Sequence, residues 1–152
     1  SSYLDREIHN LLKREIKIKV IGKTTPFSKE LKLKLRNVEK LTIKNKKIQI
    51  NMALNYGSRQ EIIEAIKKIK KKSLSITEKN IEKNLYTNQI PNPEILIRTG
   101  NTNRISNFLI WQLIYTEIFF ERKMWPDFSK NDFYKILRKF KKINRNFGGL
   151  ND

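Results

Sequence analysis

Apolar residues along this chain recur with two periods, and the alternation between them limits the fold more than any other feature. In "IKIKVIG", Ile16, Ile18 and Val20 alternate with Lys17 and Lys19 until Gly22, the pattern of a half-buried strand. Behind Ser28, a residue suited to cap a helix start, Leu31, Leu35 and Val38 fall at helical spacing. The pair of patterns then repeats. "IQINMALNYG" reads as a strand from Ile48 to about Tyr56, and Ile62, Ile63, Ile66 and Ile69 form the stripe of a helix. Ser58 and Glu61, at capping-box spacing, are expected to open that helix. "ILIRT" is a third strand, and Ser106 is expected to open the helix after it. A helix through "LDREIHNLLKRE" precedes the first strand, with Leu4, Ile8, Leu11 and Leu12 on one face. A polar helix near Thr77 to Leu85 leads into the two-proline loop "NQIPNPE". The closing helix, capped near Ser129, carries Phe133, Ile136, Leu137, Phe140 and Ile143, and "FGG" stops it. Strands alternating with helices predict an α/β fold with a mainly parallel sheet flanked by helices, one domain across residues 1–152.

Composition narrows the class of function. No cysteine is present, which excludes disulfides and thiolate metal sites. No apolar run is long enough to cross a bilayer. The net charge of +18 admits a nucleic-acid partner. The lysines, however, spread along the whole chain, and lysine, isoleucine and asparagine all have AT-rich codons. Compositional drift accounts for the charge without a polyanion, and no specific nucleic acid is expected. His9 is the lone histidine and is expected at the surface, since no second histidine or cysteine exists to share a metal.

The most informative stretch is "LIRTGNTNRISNFLIWQ". Two arginines and a hydroxyl sit between an apolar strand and an apolar run. In parallel α/β folds, ligands bind at the carboxyl ends of strands. Arg98, Arg104 and Ser106 lie there, with forked guanidinium donors suited to a dense anion such as a diphosphate. A serine cap beside two solvated arginines would leave the same pattern. Further on, Glu117 falls among apolar and aromatic residues, on what reads as a helix. A carboxylate there needs a cation: a magnesium ion shared with a diphosphate, or a basic side chain.

Taken together, "NMALNYGSRQEI", "ILIRTGNTNRISNFLIWQLIYTEIFF", "WPDF" and "RNFGG" resemble the C-terminal portion of the cis-prenyltransferase family, the isoprenyl transferases of undecaprenyl diphosphate synthase type. The resemblance runs in order over nearly the whole chain. It implies a magnesium-dependent homodimer that condenses isopentenyl diphosphate onto an allylic diphosphate such as farnesyl diphosphate. The long product serves as a lipid carrier for cell-wall glycans, and a cytoplasmic enzyme with peripheral membrane contact is implied. Position by position, Arg98, Arg104 and Ser106 match the isopentenyl diphosphate site, and Glu117 matches the magnesium-associated glutamate. Asn55, Tyr56, Arg59 and Glu61 match "NYGGR" and the acid after it, near the active site. Ile48, and more weakly Ile16, match positions facing the product tunnel. Trp111, Tyr115, Phe119 and Phe120 are expected in core or dimer packing.

The departures matter too. The family's first strand and the "MDGNGRWA" loop with its essential aspartate have no counterpart in this sequence, so no catalytic residue is assigned. Ser58 stands for the second glycine of the motif, Asn101 and Thr102 for a glycine and an acid, and Asn146 for the arginine before "FGG". The expectation is a fragment or a decayed gene product, inactive alone. A basic nucleic-acid-binding domain and an inactive partner subunit of a prenyltransferase are the alternatives.

Overall fold

The computed structural model describes residues 2–145, with side chains from residue 8 onward. Contacts gather into two compact units, Ser1–Asn88 and Gln89–Asp152, divided within the "NQIPNPE" loop. Asn146 and "FGG" lie outside the described residues, but the closing helix already ends at Phe140, so "FGG" does not stop it and Ile143 lies beyond it, contrary to expectation.

The first unit runs α1 (Ser2–Lys13), β1 (Ile16–Ile21), α2 (Lys29–Thr42), β2 (Ile48–Ala53), α3 (Ser58–Lys71) and α4 (Glu78–Glu82). β1 and β2 pair in parallel from Ile16↔Ile48 to Ile21↔Ala53. Paired residues point to one face, so Ile16, Ile18 and Val20 line up beside Ile48, Ile50 and Met52. The outer edge of β1 is closed by side chains of α2. Ile18 N donates to Thr42 Oγ1 at 3.1 Å and Val20 N to Glu39 Oε1 at 2.8 Å. Thr42 is fully buried and also donates to Val38 O at 2.8 Å, so its hydroxyl is satisfied both ways. Among the described side chains, Ile18, Ile21, Ala65, Ile69, Ile81 and Leu85 are the buried apolar residues of this unit. Each such large side chain contributes about 1.5–3 kcal/mol through area removed from water.

Ser28 caps α2 as expected, accepting from Leu31 N. Thr77 caps α4 in the same way. Ser58 does not cap α3: it is the first helical residue, behind Gly57, and is fully buried. Glu61 makes other contacts, described below.

The second unit holds β3 (Ile95–Arg98), β4 (Glu117–Phe120), a 3₁₀ turn (Trp125–Asp127) and α5 (Lys130–Phe140). β3 and β4 are also parallel, from Ile95↔Glu117 to Arg98↔Phe120. All strand pairing among the described residues is therefore parallel, as the α/β class requires, but it occurs as two-stranded sheets. α5 begins with a full capping box, Ser129 with Asp132. Hydrogen bonds from Lys123 and Ser129 hold the Asp132 carboxyl well below the usual range. Among the described side chains, Ile136 of α5 and Leu113 are the buried apolar residues of this unit.

One sequence expectation fails here. Ser106 opens no helix, and Glu117 lies not on a helix but at the first residue of β4. Residues 101–116 form turns, with hydrogen bonds such as Phe108 N→Ile105 O and Gln112 N→Leu109 O. The reason is local: Ser106, Asn107 and Leu109 have φ of 49°, 61° and 47°, left-handed values that no α-helix contains. The four aromatic residues expected in core or dimer packing differ in burial within the chain. Trp111 and Phe119 are half-buried, whereas Tyr115 and Phe120 are exposed. His9 is exposed, as expected.

Candidate functional site

The candidate residues divide between the two units. In the first, Asn55, Tyr56, Arg59 and Glu61 belong to the loop after β2 and the first turn of α3. That loop lies against the loop after β1. Leu54 N donates to Ile21 O at 2.9 Å, Lys23 N to Asn55 O at 3.3 Å, and Asn55 Nδ2 to Lys23 O at 2.9 Å. Asn55 has φ 47°, a left-handed turn that asparagine tolerates better than most residues. Arg59 is exposed.

Glu61 is 1 % exposed. Its carboxylate accepts from Tyr56 Oη at 2.5 Å and from the backbone N–H of Tyr86 at 2.7 Å. Hydrogen bonds to a charged acceptor stabilise by about 1.5–3 kcal/mol each, which offsets the cost of burying the group. Glu64, one turn along α3, accepts from the Tyr86 hydroxyl and from Gln60 Nε2. These two bonds lower the Glu64 carboxyl, and burial followed by the bond to Glu64 raises the Tyr86 phenol. Tyr86, Glu64 and Lys23 escaped the sequence reading. Tyr86 lies 25 residues from Glu61, and no local pattern announces such a contact. Ile16 is half-buried and Ile48 is 55 % exposed, neighbours on one face of the β1–β2 pair.

In the second unit, Arg98 ends β3. Its Nε donates to Thr102 Oγ1 at 3.1 Å, so the threonine found in place of the expected acid still supplies an acceptor. The loop after β3 is fastened to the residues after β4 by Glu121 N→Arg98 O at 2.7 Å and Gly100 N→Lys123 O at 2.8 Å. Arg104 and Ser106 are exposed on the segment that follows, with no hydrogen bond or ion pair among the described residues. Glu117 is half-buried at the opposite end of the β3–β4 ladder from Arg98. Three residues of strand separate their levels, about 10 Å. The backbone thus puts Arg98, Arg104 and Ser106 on one stretch and does not bring Glu117 to Arg98.

Parallel strands, carboxyl-end loops and an arginine-bearing segment after β3 all agree with the family resemblance, and comparison with known proteins decides it. Residues 1–148 match the prenyltransferase family profile described as "Putative undecaprenyl diphosphate synthase". The chain belongs to this family. It is 42% identical over 154 residues to the isoprenyl transferase of Prochlorococcus marinus subsp. pastoris, covering 97% of this chain and 57% of that relative. It is 44% identical over 152 residues to the ditrans,polycis-undecaprenyl-diphosphate synthase ((2E,6E)-farnesyl-diphosphate specific) of Buchnera aphidicola subsp. Baizongia pistaciae, covering 95% and 61%. Among solved structures, lavandulyl diphosphate synthase from Lavandula x intermedia, in complex with dimethylallyl diphosphate, superposes with a TM-score of 0.88 at 31% identity, covering 97% of this chain and 67% of that one. This prenyltransferase-family chain therefore spans 57% and 61% of the length of the two curated relatives.

A magnesium ion can be tested against the donors present. Among the described residues, no three His, Cys, Asp or Glu side chains gather into a metal-binding group. Glu117 offers one carboxylate, a hard oxygen donor. That set fits magnesium in its usual substrate-bound mode, where one or two carboxylates act with phosphate and water oxygens. Among the described residues, no helix is long and apolar enough to cross a membrane.

Proposed function

We propose that this chain carries the isopentenyl diphosphate-binding part of a cis-prenyl chain-elongating transferase. The observation that carries the reading is the segment after β3. Arg98 is fixed at the strand end by Thr102, and Arg104 and Ser106 stand exposed and unpaired among the described residues a few positions on. Forked guanidinium donors beside a hydroxyl match the oxygens of a diphosphate. Nothing in the described fold uses Arg104 or Ser106.

In the reaction, the terminal alkene carbon of isopentenyl diphosphate forms a bond to the allylic carbon of the acceptor. The acceptor's diphosphate leaves with the C–O electron pair, and loss of a proton from the five-carbon unit restores a double bond. Arg98, Arg104 and Ser106 hold and orient the isopentenyl diphosphate, which turns an encounter of two substrates into a positioned step. The family resemblance assigns Asn55, Tyr56, Arg59 and Glu61 a role near the active site, and the face bearing Ile16 and Ile48 a role along the apolar product chain. Magnesium held by Glu117 and diphosphate oxygens would neutralise charge as the leaving group departs. Farnesyl diphosphate as primer, an undecaprenyl-type product for cell-wall lipid carriers, a homodimer, and a cytoplasmic place with peripheral membrane contact complete the reading. The printed name of the Buchnera relative supports the farnesyl and undecaprenyl parts, and the net charge of +18 suits contact with an anionic membrane surface.

Amide resonances of an isotopically labelled sample test the site. Isopentenyl diphosphate with magnesium is expected to shift signals of residues 98–106 saturably. Absence of those shifts, with duplex DNA instead perturbing lysine-rich segments throughout the chain, contradicts the assignment.

A further inference from the structure

The second unit carries its excess of positive charge on one helix. Lys130, Lys135, Arg138, Lys139, Lys141 and Lys142 stand on α5 and the turn that ends it, against a single acid there, Asp132. Over the rest of residues 89–152, basic and acidic residues are equal in number. All six cations are exposed, whereas Asp132 and Ile136 are buried. Lys130, Tyr134, Arg138 and Lys141 follow one another at helical spacing, and Lys135, Lys139 and Lys142 form the row beside them.

Helix stability does not account for this set. The helix dipole favours cations at the C-terminal end of α5 but disfavours Lys130 at its first position. Like charges one turn apart also repel. Among the described residues, none of the six forms an ion pair with a carboxylate. A cleft of about 570 Å³ is lined by Lys135, Arg138, Lys139, Lys141 and Lys142 with Ile136 and two acids, Glu121 and Asp132. Both acids have donors of their own. Asp132 Oδ2 accepts from Lys123 Nζ at 2.8 Å and Ser129 N at 2.9 Å, and Glu121 Oε1 accepts from Arg122 N at 2.9 Å.

A surface that gathers uncompensated cations suits a partner of opposite sign. Five of the six are lysines, compact point charges matched to a diffuse array of phosphates; a site for one phosphate would favour forked guanidinium groups. A helix-borne cluster of this size suits the anionic headgroups of a bilayer. Tyr134 is 44 % exposed with the Lys130 ammonium 5.5 Å from its ring centre, and such an amphipathic ring sits well at headgroup depth. Single-stranded nucleic acid is held on successive aromatic platforms, whereas Tyr134 is the one aromatic residue of these two rows.

We propose that the solvent face of α5 is the surface by which this chain docks on an anionic phospholipid bilayer. That the chain meets a membrane at all rests on the function proposed above; the place of contact rests on charge and geometry within the second unit.

Sedimentation with vesicles of equal parts phosphatidylglycerol and phosphatidylcholine, and with vesicles of phosphatidylcholine alone, tests it. One variant combines Lys135→Gln, Arg138→Gln and Lys139→Gln, which removes three charges from α5 and keeps helix-forming residues. A matched control combines Lys67→Gln, Lys70→Gln and Lys71→Gln, exposed positions of α3. The wild-type chain binds the mixed vesicles and not the neutral ones. Affinity falls about a hundredfold in the α5 variant and less than about threefold in the control. Acetylation of the wild-type chain reads the same face without substitution: mixed vesicles protect Lys135, Lys139, Lys141 and Lys142 and leave Lys67, Lys70 and Lys71 reactive. Equal losses in the two variants, or equal protection of the two sets of lysines, overturn the proposal. So does a wild-type chain that binds both kinds of vesicle alike. Protection of the α5 lysines by duplex DNA but not by mixed vesicles overturns it in favour of a nucleic acid. A chain that binds isopentenyl diphosphate but no vesicles refutes this inference alone. One that docks through α5 but binds no isopentenyl diphosphate supports it and contradicts only the function proposed above.

Discussion

At Gly22 the backbone turns with φ +107°, and a Cβ built there would lie 2.3 Å from the Leu54 carbonyl oxygen. Only glycine fits, because the loop after β1 passes this close to the chain leaving β2. Gly22→Ala should cost about 2–4 kcal/mol, combining backbone strain with overpacking. A urea midpoint shifted down at an unchanged slope would show it, and an unshifted midpoint would mean that the two loops separate freely. Other residue-scale features were legible because their causes are local. Ser28 and Ser129 cap helices within three residues of themselves, and their spacing showed this in the sequence. Ser58 and Glu61 have capping spacing too, but Tyr86, 25 residues away, supplies the donor that Glu61 accepts. Spacing along the chain carries no trace of such a partner. The Arg98–Thr102 bond was hidden for a related reason, since threonine stands where the resemblance led one to expect an acid.

Among elements, β2 is the least protected. It pairs with β1 alone, all six of its residues are exposed, and Ile48, Ile50 and Met52 present an apolar row. α2 blocks the outer edge of β1, whereas no described strand pairs with the far edge of β2. An open apolar edge invites pairing with another chain. Ile50→Lys should therefore lower light scattering by concentrated samples while leaving the circular dichroism spectrum unchanged. Equal scattering from both proteins would locate the association elsewhere. The strands and helices of residues 1–88 followed their periodicity closely. Residues 104–120 did not. An apolar run of this kind suits a buried helix or a strand equally by periodicity. Left-handed turns at Ser106, Asn107 and Leu109 then break the helix, and "EIFF" pairs with β3 instead. Glu117 thus begins a strand instead of lying on the expected helix.

At the scale of the whole molecule, charge and ancestry point in different directions. A net charge of +18 suggests a polyanion, yet the family match spans residues 1–148 and the motifs follow in order. Motif order was visible in the sequence because it is a property of the chain; the burial of Glu61 and the exposure of Arg104 were not, because they depend on which segments fold together. The decisive measurement is isopentenyl diphosphate binding by calorimetry at fixed moderate salt with magnesium, for the wild-type chain and for Arg104→Ala. Saturable binding that weakens at least about tenfold in the variant, as loss of a charge-assisted contact implies, is the predicted result. Binding that is absent, or equally strong without Arg104, would contradict the account and leave family membership without the site.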